Sequence, residues 1–288
     1  MIEDVLRKHL IKQEALAAHL ARYCSEPAIF NQEAPADNDH LWDSNQQYGR
    51  IVFAIDMQGD PERTMGGMLA VDIMCEDGKQ LPEEIEPILR AAIHGYFFSK
   101  DKVVLAAQWK NTAYFTQPTD HVSGVTVTFD LLGFPVLTTT TPDVIHRFNE
   151  WTSNQYEHLH VINYEQMPSD AWKPSGEEAA VYWRLLNDAS AGWIPDTFQT
   201  IWRTATIKGH VFAGDVAKEA EISREIAHRL YAVKRLTKPG ETQIMTNRRN
   251  SVDYGADVLR TGQLTIEGTY GVIVYLEPDG IIQNIEFN

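Results

Sequence analysis

The sequence has little cysteine, no long apolar run and few basic residues, and each of these absences excludes a class of protein. It holds two cysteines, Cys24 and Cys75, in 288 residues. Two thiols form one disulfide at most and match no zinc-binding spacing, so we expect both to be reduced. No apolar run approaches the roughly 18 residues that would span a membrane, and residues 1–24 lack the apolar core of a signal peptide. We therefore predict a soluble protein made in a cytoplasm, with no membrane partner.

Acidic residues outnumber basic ones along the whole chain, and the formal net charge is -15. Residues 1–140 carry 11 basic and 20 acidic side chains, and residues 141–288 carry 14 and 20. A protein that grips nucleic-acid phosphates needs the opposite balance. The composition therefore argues against direct nucleic-acid binding, although DNA can still slide past an acidic surface.

The common catalytic and nucleotide-binding motifs GxGxxG, GxxxxGK[ST], HExxH and GxSxG are also missing. His158 and His160 could share a metal, but no third ligand is near in sequence, so a partly exposed strand is favoured. Asp56, Asp60 and Glu62 lack the spacing of a calcium loop and indicate a solvated acidic turn. The sequence thus predicts no catalytic residue, no metal and no cofactor. An enzyme with an unrecognised site at His158, His160 or Asp56 is the alternative.

What the sequence does contain is one pattern of elements that occurs twice. The first half predicts a helix near 2–20, strands at 28–30, 48–57 and 67–76, a helix over 82–98, and strands over 103–116 and 122–134. The second half predicts a helix that starts with Thr141 as N-cap and Pro142 as its first residue. Strands follow at 159–164, 179–188 and 198–209, then a helix over 215–234 and strands near 242–248, 261–275 and 281–287. Both halves have the order α-β-β-β-α-β-β.

Short stretches of residues also match between the halves in the same order. ILRAAIH (88–94) faces ISREIAH (222–228), and three further pairs of segments match at offsets between 132 and 139 residues. Matches in register with the element order indicate an internal repeat. The sequence therefore predicts an α+β fold of two tandem α-β-β-β-α-β-β domains, mainly antiparallel sheet packed with helices. The first copy spans 1–137, a linker spans 138–141, and a diverged second copy spans 142–288.

The connections between long paired strands are the predicted contact sites for other proteins. Loop 58–66 carries the charged residues Asp60, Glu62 and Arg63 beside Met65. The corresponding loop, 189–197, carries Trp193 and Ile194 instead. A tryptophan at a loop tip is a good partner anchor, and a buried core tryptophan is the alternative.

This order of elements resembles that of the tail terminator, or tail completion, proteins of tailed bacteriophages. The resemblance lies in a short strand leading to Glu33-Ala34-Pro35, in YGRIVFAIDM (48–57), the helix 82–98 and GVTVTFDLLGFP (124–135). In the second half it lies in AVYWRLLND (180–188) and the helix 215–234.

The resemblance implies a structural virion protein that caps the finished tail tube as a ring and ends tail polymerisation. It implies three partners: other copies of the chain, the tail tube protein and a head–tail completion protein at the head-proximal end of the tail. DNA would pass through an acidic channel without specific binding. Because diverged copies cannot meet identical neighbours, a homo-hexamer is favoured over a trimer, with the first domain in the ring and the second at the periphery. Another tail or baseplate adaptor is the alternative.

Overall fold

The computed structural model describes residues 1–58, 66–101, 103–117, 121–136, 140–164, 168, 170–197, 200–236 and 245–273. The chain divides into two units. Unit 1 consists of Met1–Pro135 and Gln166–Pro174, and unit 2 consists of Val136–Glu165 and Ser175–Asn288. The return of the chain to unit 1 near residue 170 was not expected from the sequence.

The first 135 residues form three helices and eight strands within the described ranges. They are α1 (Ile2–Ile11), α2 (Glu14–Ala17), β1 (Arg22–Tyr23), β2 (Glu26–Pro27), β3 (Ile29–Asn31), a 3-10 turn (Asp43–Asn45), β4 (Arg50–Met57), β5 (Gly67–Glu76), α3 (Pro82–Ile93), β6 (Phe97–Lys100), β7 (Val103–Gln117) and β8 (Val122–Gly133).

The rest of the chain adds two helices and seven strands within the described ranges. They are α4 (Val144–Gln155), β9 (Leu159–Val161), β10 (Asp170–Trp172), β11 (Ala179–Ser190), β12 (Thr200–Phe212), α5 (Val216–Val233), β13 (Arg235–Leu236), β14 (Met245–Val252) and β15 (Leu264–Ile273). Of these, β10 belongs to unit 1.

Unit 1 is built on a seven-stranded sheet in the order β10-β6-β7-β8-β5-β4-β3. Among the described strands of this sheet, only the pair β3–β4 is parallel. The residues of strand β5 alternate between buried and half-buried along its whole length. Because successive side chains of a strand point to opposite faces, one face of the sheet is buried. The buried side chains of β5, including Leu69, Val71 and Ile73, pack with those of α1 and α3 in one apolar core.

Unit 2 is built on a six-stranded sheet in the order β13-β14-β15-β12-β11-β9. As far as its strands are described, this sheet also has one parallel pair, β9–β11. Apart from β10, the strand order and directions correspond one by one to those of unit 1, and α4 and α5 occupy the chain positions of α1 and α3. The predicted α+β class is confirmed in both units.

The helix predicted over 82–98 is shorter than expected. It begins at Pro82, as predicted, but ends at Ile93, because Gly95 takes a φ of 78°. Residues Phe97 and Phe98, which the periodicity assigned to the helix, lie in β6. A left-handed glycine just after a helix is a common stop signal, and the aromatic pair that follows suits a strand.

Two other helix predictions also need correction. The helix predicted near 2–20 is interrupted at Lys12 and Gln13 into α1 and α2. The helix predicted to begin with Thr141 and Pro142 begins at Val144, and Asp143 is its N-cap, accepting a hydrogen bond from the His146 amide at 3.0 Å. Aspartate competes well for the cap position because its carboxylate also interacts with the helix dipole.

Several strand predictions agree with the structure and some cannot be compared with it. The strand predicted at 67–76 is β5, and those at 103–116 and 122–134 are β7 and β8 to within one residue at each end. The short strands β6, β10 and β13 were not predicted. The strand predicted at 281–287 and residues 138 and 139 of the predicted linker 138–141 lie outside the described residues.

The two thiols are expected to differ strongly in reactivity. Cys75 lies in the core of unit 1 with 0% exposure, and burial, together with the nearby Glu83 carboxylate, raises its pKa to about 11. Cys24 is exposed. Because the thiolate is the reactive form, iodoacetamide at about pH 8 should label Cys24 in the native protein and Cys75 only after unfolding.

Mass-spectrometric mapping of the labelled peptides measures the labelling rates of Cys24 and Cys75. Equal labelling of the two thiols in the native protein would contradict the described packing of β5.

The raised pKa of Cys75 also affects stability. The thiol favours the folded state up to about pH 9, and this contribution is lost as the pH rises toward 11.

Candidate interaction surfaces at the hairpins

Residues 191–197 are the described part of the connection between β11 and β12, and the predicted contact residue Trp193 lies among them. The loop turns where the Ile194 amide donates to the Ala191 carbonyl at 2.8 Å. Trp193 is 59% exposed, whereas Ala191 beside it is buried. Ile194 is half-buried. The alternative that Trp193 is a core side chain is therefore wrong for the folded chain.

An arginine holds the Trp193 ring. The Arg248 guanidinium carbon lies 4.4 Å from the centroid of that ring. Arg248 occupies an irregularity in the pairing of β14 with β15, between Asn247 and Arg249, and its Nε donates to the Thr269 hydroxyl at 3.1 Å. A stacked cation fixes the orientation of an exposed aromatic side chain at little cost. The tip of the hairpin therefore presents an oriented indole.

The stem of the same hairpin is held by a polar network. The Arg203 Nε donates to both carboxylate oxygens of Asp188, at 3.0 and 2.8 Å. The Tyr270 hydroxyl donates to Asp188 at 2.8 Å. Burial and the Asp188 carboxylate raise the pKa of Tyr270, so the phenol stays protonated and remains a donor. This network ties β11, β12 and β15 together below the tip.

Of the other predicted contact loop, 58–66, the structure describes only the two ends. The Gln58 amide donates to the Gly66 carbonyl at 3.0 Å, which closes the loop between β4 and β5. Asp60, Glu62, Arg63 and Met65 lie outside the described residues.

The described residues that were considered for metal binding or catalysis are divided between the two units. Asp56 is an exposed residue of β4 in unit 1. His158 is exposed just before β9, and His160 lies within β9, both in unit 2. Within the described ranges, no group of three or more His, Cys, Asp or Glu side chains is placed to hold a metal ion. In the same ranges, no helix has the length and apolar composition needed to cross a membrane.

Sequence reasoning missed one concave feature of unit 2, a cavity of about 820 Å³ between the end of α4, the start of β11 and one side of α5. Its residues include Tyr156, Glu177, Glu178 and Ile222. The sequence predicts a polar loop over 165–178, and within it only the adjacent pair Glu177-Glu178 indicates a local concentration of charge.

Comparisons with known proteins do not assign the chain to a family. No protein-family model matches the chain, and no curated protein matches it either.

Proposed function

We propose that this chain is a structural virion protein that caps a phage tail tube as a ring, ends tail polymerisation and joins the tail to head–tail completion proteins. The observation that carries the proposal is the exposed, oriented Trp193 at the tip of a long hairpin. Large aromatic side chains are enriched among the residues that dominate protein–protein binding. The alternative function, that of another tail or baseplate adaptor, would use the same surface of the chain to bind its partners.

The proposal includes an internal duplication. Helix, parallel strand and hairpins follow one another in the same order in the two units, and the strand neighbours and directions correspond. This correspondence supports the repeat expected from the ILRAAIH and ISREIAH segments. A ring protein gains from such a repeat because each chain then contributes two related building blocks with different exposed surfaces.

The proposed ring has three partners for each chain: other copies of the chain, the tail tube protein and a head–tail completion protein. Six copies form the ring, the tail tube protein binds one side, and a head–tail completion protein binds the other. Unit 1 is placed next to the channel because residues 1–140 carry the larger acidic excess, 20 acidic against 11 basic side chains. Carboxylates repel DNA phosphates, so the genome passes without specific binding. The protein resides at the head-proximal end of the tail.

The mass of the native particle tests the ring. We expect native mass spectrometry to give a particle of six chains of 32.7 kDa each, and negative-stain images of that particle mixed with purified tail tubes to show it at one tube end only. The physical reason is that a closed ring matched to the tube's rotational symmetry buries the same contact at each subunit.

Three results would count against this proposal. A particle of three chains would mean that the ring is a trimer, in which the two units of each chain occupy quasi-equivalent positions. A monomer that never binds tube ends at any concentration used would remove the terminator function, and binding at the opposite tube end would favour a baseplate adaptor.

A further inference from the structure

The cavity of unit 2 has the size of a small-molecule site. Its volume of about 820 Å³ falls within the range of roughly 300–1,000 Å³ usual for ligand pockets. One wall is a single side of α5, where Lys218, Ile222 and Glu225 follow one another at helical spacing. Another wall is the turn that leads into β11. These walls belong to the described part of unit 2.

The floor of the cavity is apolar. Leu159 and Ala179 are 5% and 3% exposed, and the half-buried Ile222 packs against the core of the unit. Tyr156 adds an aromatic ring whose hydroxyl is buried without a hydrogen-bond partner among the described residues. A floor of this kind accepts a hydrocarbon chain.

The rim of the cavity is charged, whereas its floor is apolar. Glu157, Glu177, Glu178 and Glu225 line the cavity together with the basic side chains Lys218 and His158, so carboxylates are in the majority. Lys218 is paired with Glu221 at 3.0 Å, and Glu225 with Arg229 at 2.9 Å. The other three carboxylates have no ion pair in the described part of the chain.

The turn before β11 fixes two of these carboxylates. The Ser175 hydroxyl accepts the amides of Glu177 and Glu178 at 3.3 and 3.0 Å, and the Ser175 amide donates to the Glu178 carbonyl at 2.8 Å. Because the backbone is held in this way, both side chains start from a defined position beside the cavity. Their charges add to a negative potential in a concave, partly apolar space.

We propose that this cavity binds an organic cation, an ammonium or guanidinium group carried on an apolar chain. The apolar floor takes the chain, and the carboxylates of Glu157, Glu177 and Glu178 take the charge. An anion is excluded by the sign of the rim. A free polyamine and a lysine or arginine side chain of a partner protein share this chemistry, and they are distinguished by the probes below.

Isothermal titration calorimetry at low ionic strength tests the site with two probes, spermidine and the peptide acetyl-Ala-Lys-Ala-amide. We expect one or both to bind unit 2 of the full-length chain with a stoichiometry of one. The double variant Glu177→Gln/Glu178→Gln should weaken binding about fivefold to tenfold, since each partly exposed ion pair contributes a modest amount. Preference for spermidine identifies a free polyamine, and preference for the peptide identifies a protein side chain.

The matched control is Glu33→Gln/Glu83→Gln, which removes the same total charge from exposed positions of unit 1. It should leave the affinity unchanged. If it weakens binding as much as the cavity variant, the cation is only a counter-ion of an acidic protein and the proposal is wrong. Absence of binding by both probes overturns it as well. Melting temperatures of the variants show that a lost signal is not unfolding, and the ring proposed above stands or falls separately.

Discussion

Gly209→Ala is expected to lower the free energy of unfolding of unit 2 by about 2–3 kcal/mol, because it overfills a packed core. Gly209 lies directly opposite Trp183 in the β11–β12 pair. A Cβ atom at this position would lie 2.3 Å from the indole ring, closer than any real contact. The ring cannot retreat easily, since Trp183 is 2% exposed and its Nε1 donates to the Thr152 hydroxyl at 2.9 Å.

Two other glycines of the same unit are matched controls. A Cβ at Gly268 would lie 2.2 Å from the Met245 methyl group, the far end of a flexible side chain, and a Cβ at Gly192 would meet nothing within 4 Å. We therefore expect the loss to decrease from Gly209→Ala to Gly268→Ala, with Gly192→Ala near zero. Urea unfolding followed by tryptophan fluorescence measures the series. Equal effects at the three sites would contradict the described packing of Trp183.

The longer elements could be predicted from the sequence because their burial has a simple period. The alternating pattern of β5 and the spacing of Ile226 and Leu230 in α5 both give one continuous apolar face. Asp215 marks the start of α5 by accepting the Lys218 amide at 2.8 Å, a signal that is visible in the sequence.

Strand β10 could not be predicted because a distant partner stabilises it. Strand β10 contains three residues, and its place in the sheet of unit 1 depends on β6, about 70 residues earlier in the chain. Trp172 stacks on Phe97 at 4.6 Å, and the Lys173 ammonium donates to the His94 carbonyl. No local period records such contacts, so tertiary packing decides the structure of this segment.

The candidate contact site was predictable in part. The glycine and proline beside Trp193 indicated a loop, and the described loop has the tryptophan at its exposed tip. Its contact with Arg248 could not be foreseen, because that contact depends on the irregular pairing of β14 with β15. The cavity was missed for a similar reason, since α4, β11 and α5 are far apart in sequence.

Trp193→Ala is expected to weaken assembly of the proposed ring about 30-fold or more, the loss expected when an aromatic residue that dominates an interface is removed. The same substitution should lower the free energy of unfolding of the isolated chain by less than about 1 kcal/mol, because an exposed aromatic ring under an arginine contributes little to folding. Sedimentation velocity over a concentration series measures assembly, and calorimetry measures stability.

Tyr254→Ala is the matched control. Tyr254 is 52% exposed in the same unit, and the Arg224 guanidinium lies 5.7 Å from its ring centroid, so it also combines an exposed aromatic ring with an arginine. It lies between β14 and β15 and not at the tip of the β11–β12 hairpin. Loss of assembly with Trp193→Ala but not with Tyr254→Ala makes the hairpin tip a contact surface. A similar loss with both variants, or a fall in melting temperature as large as the loss of assembly, would mean that Trp193 serves the fold of unit 2 and that the ring uses another surface.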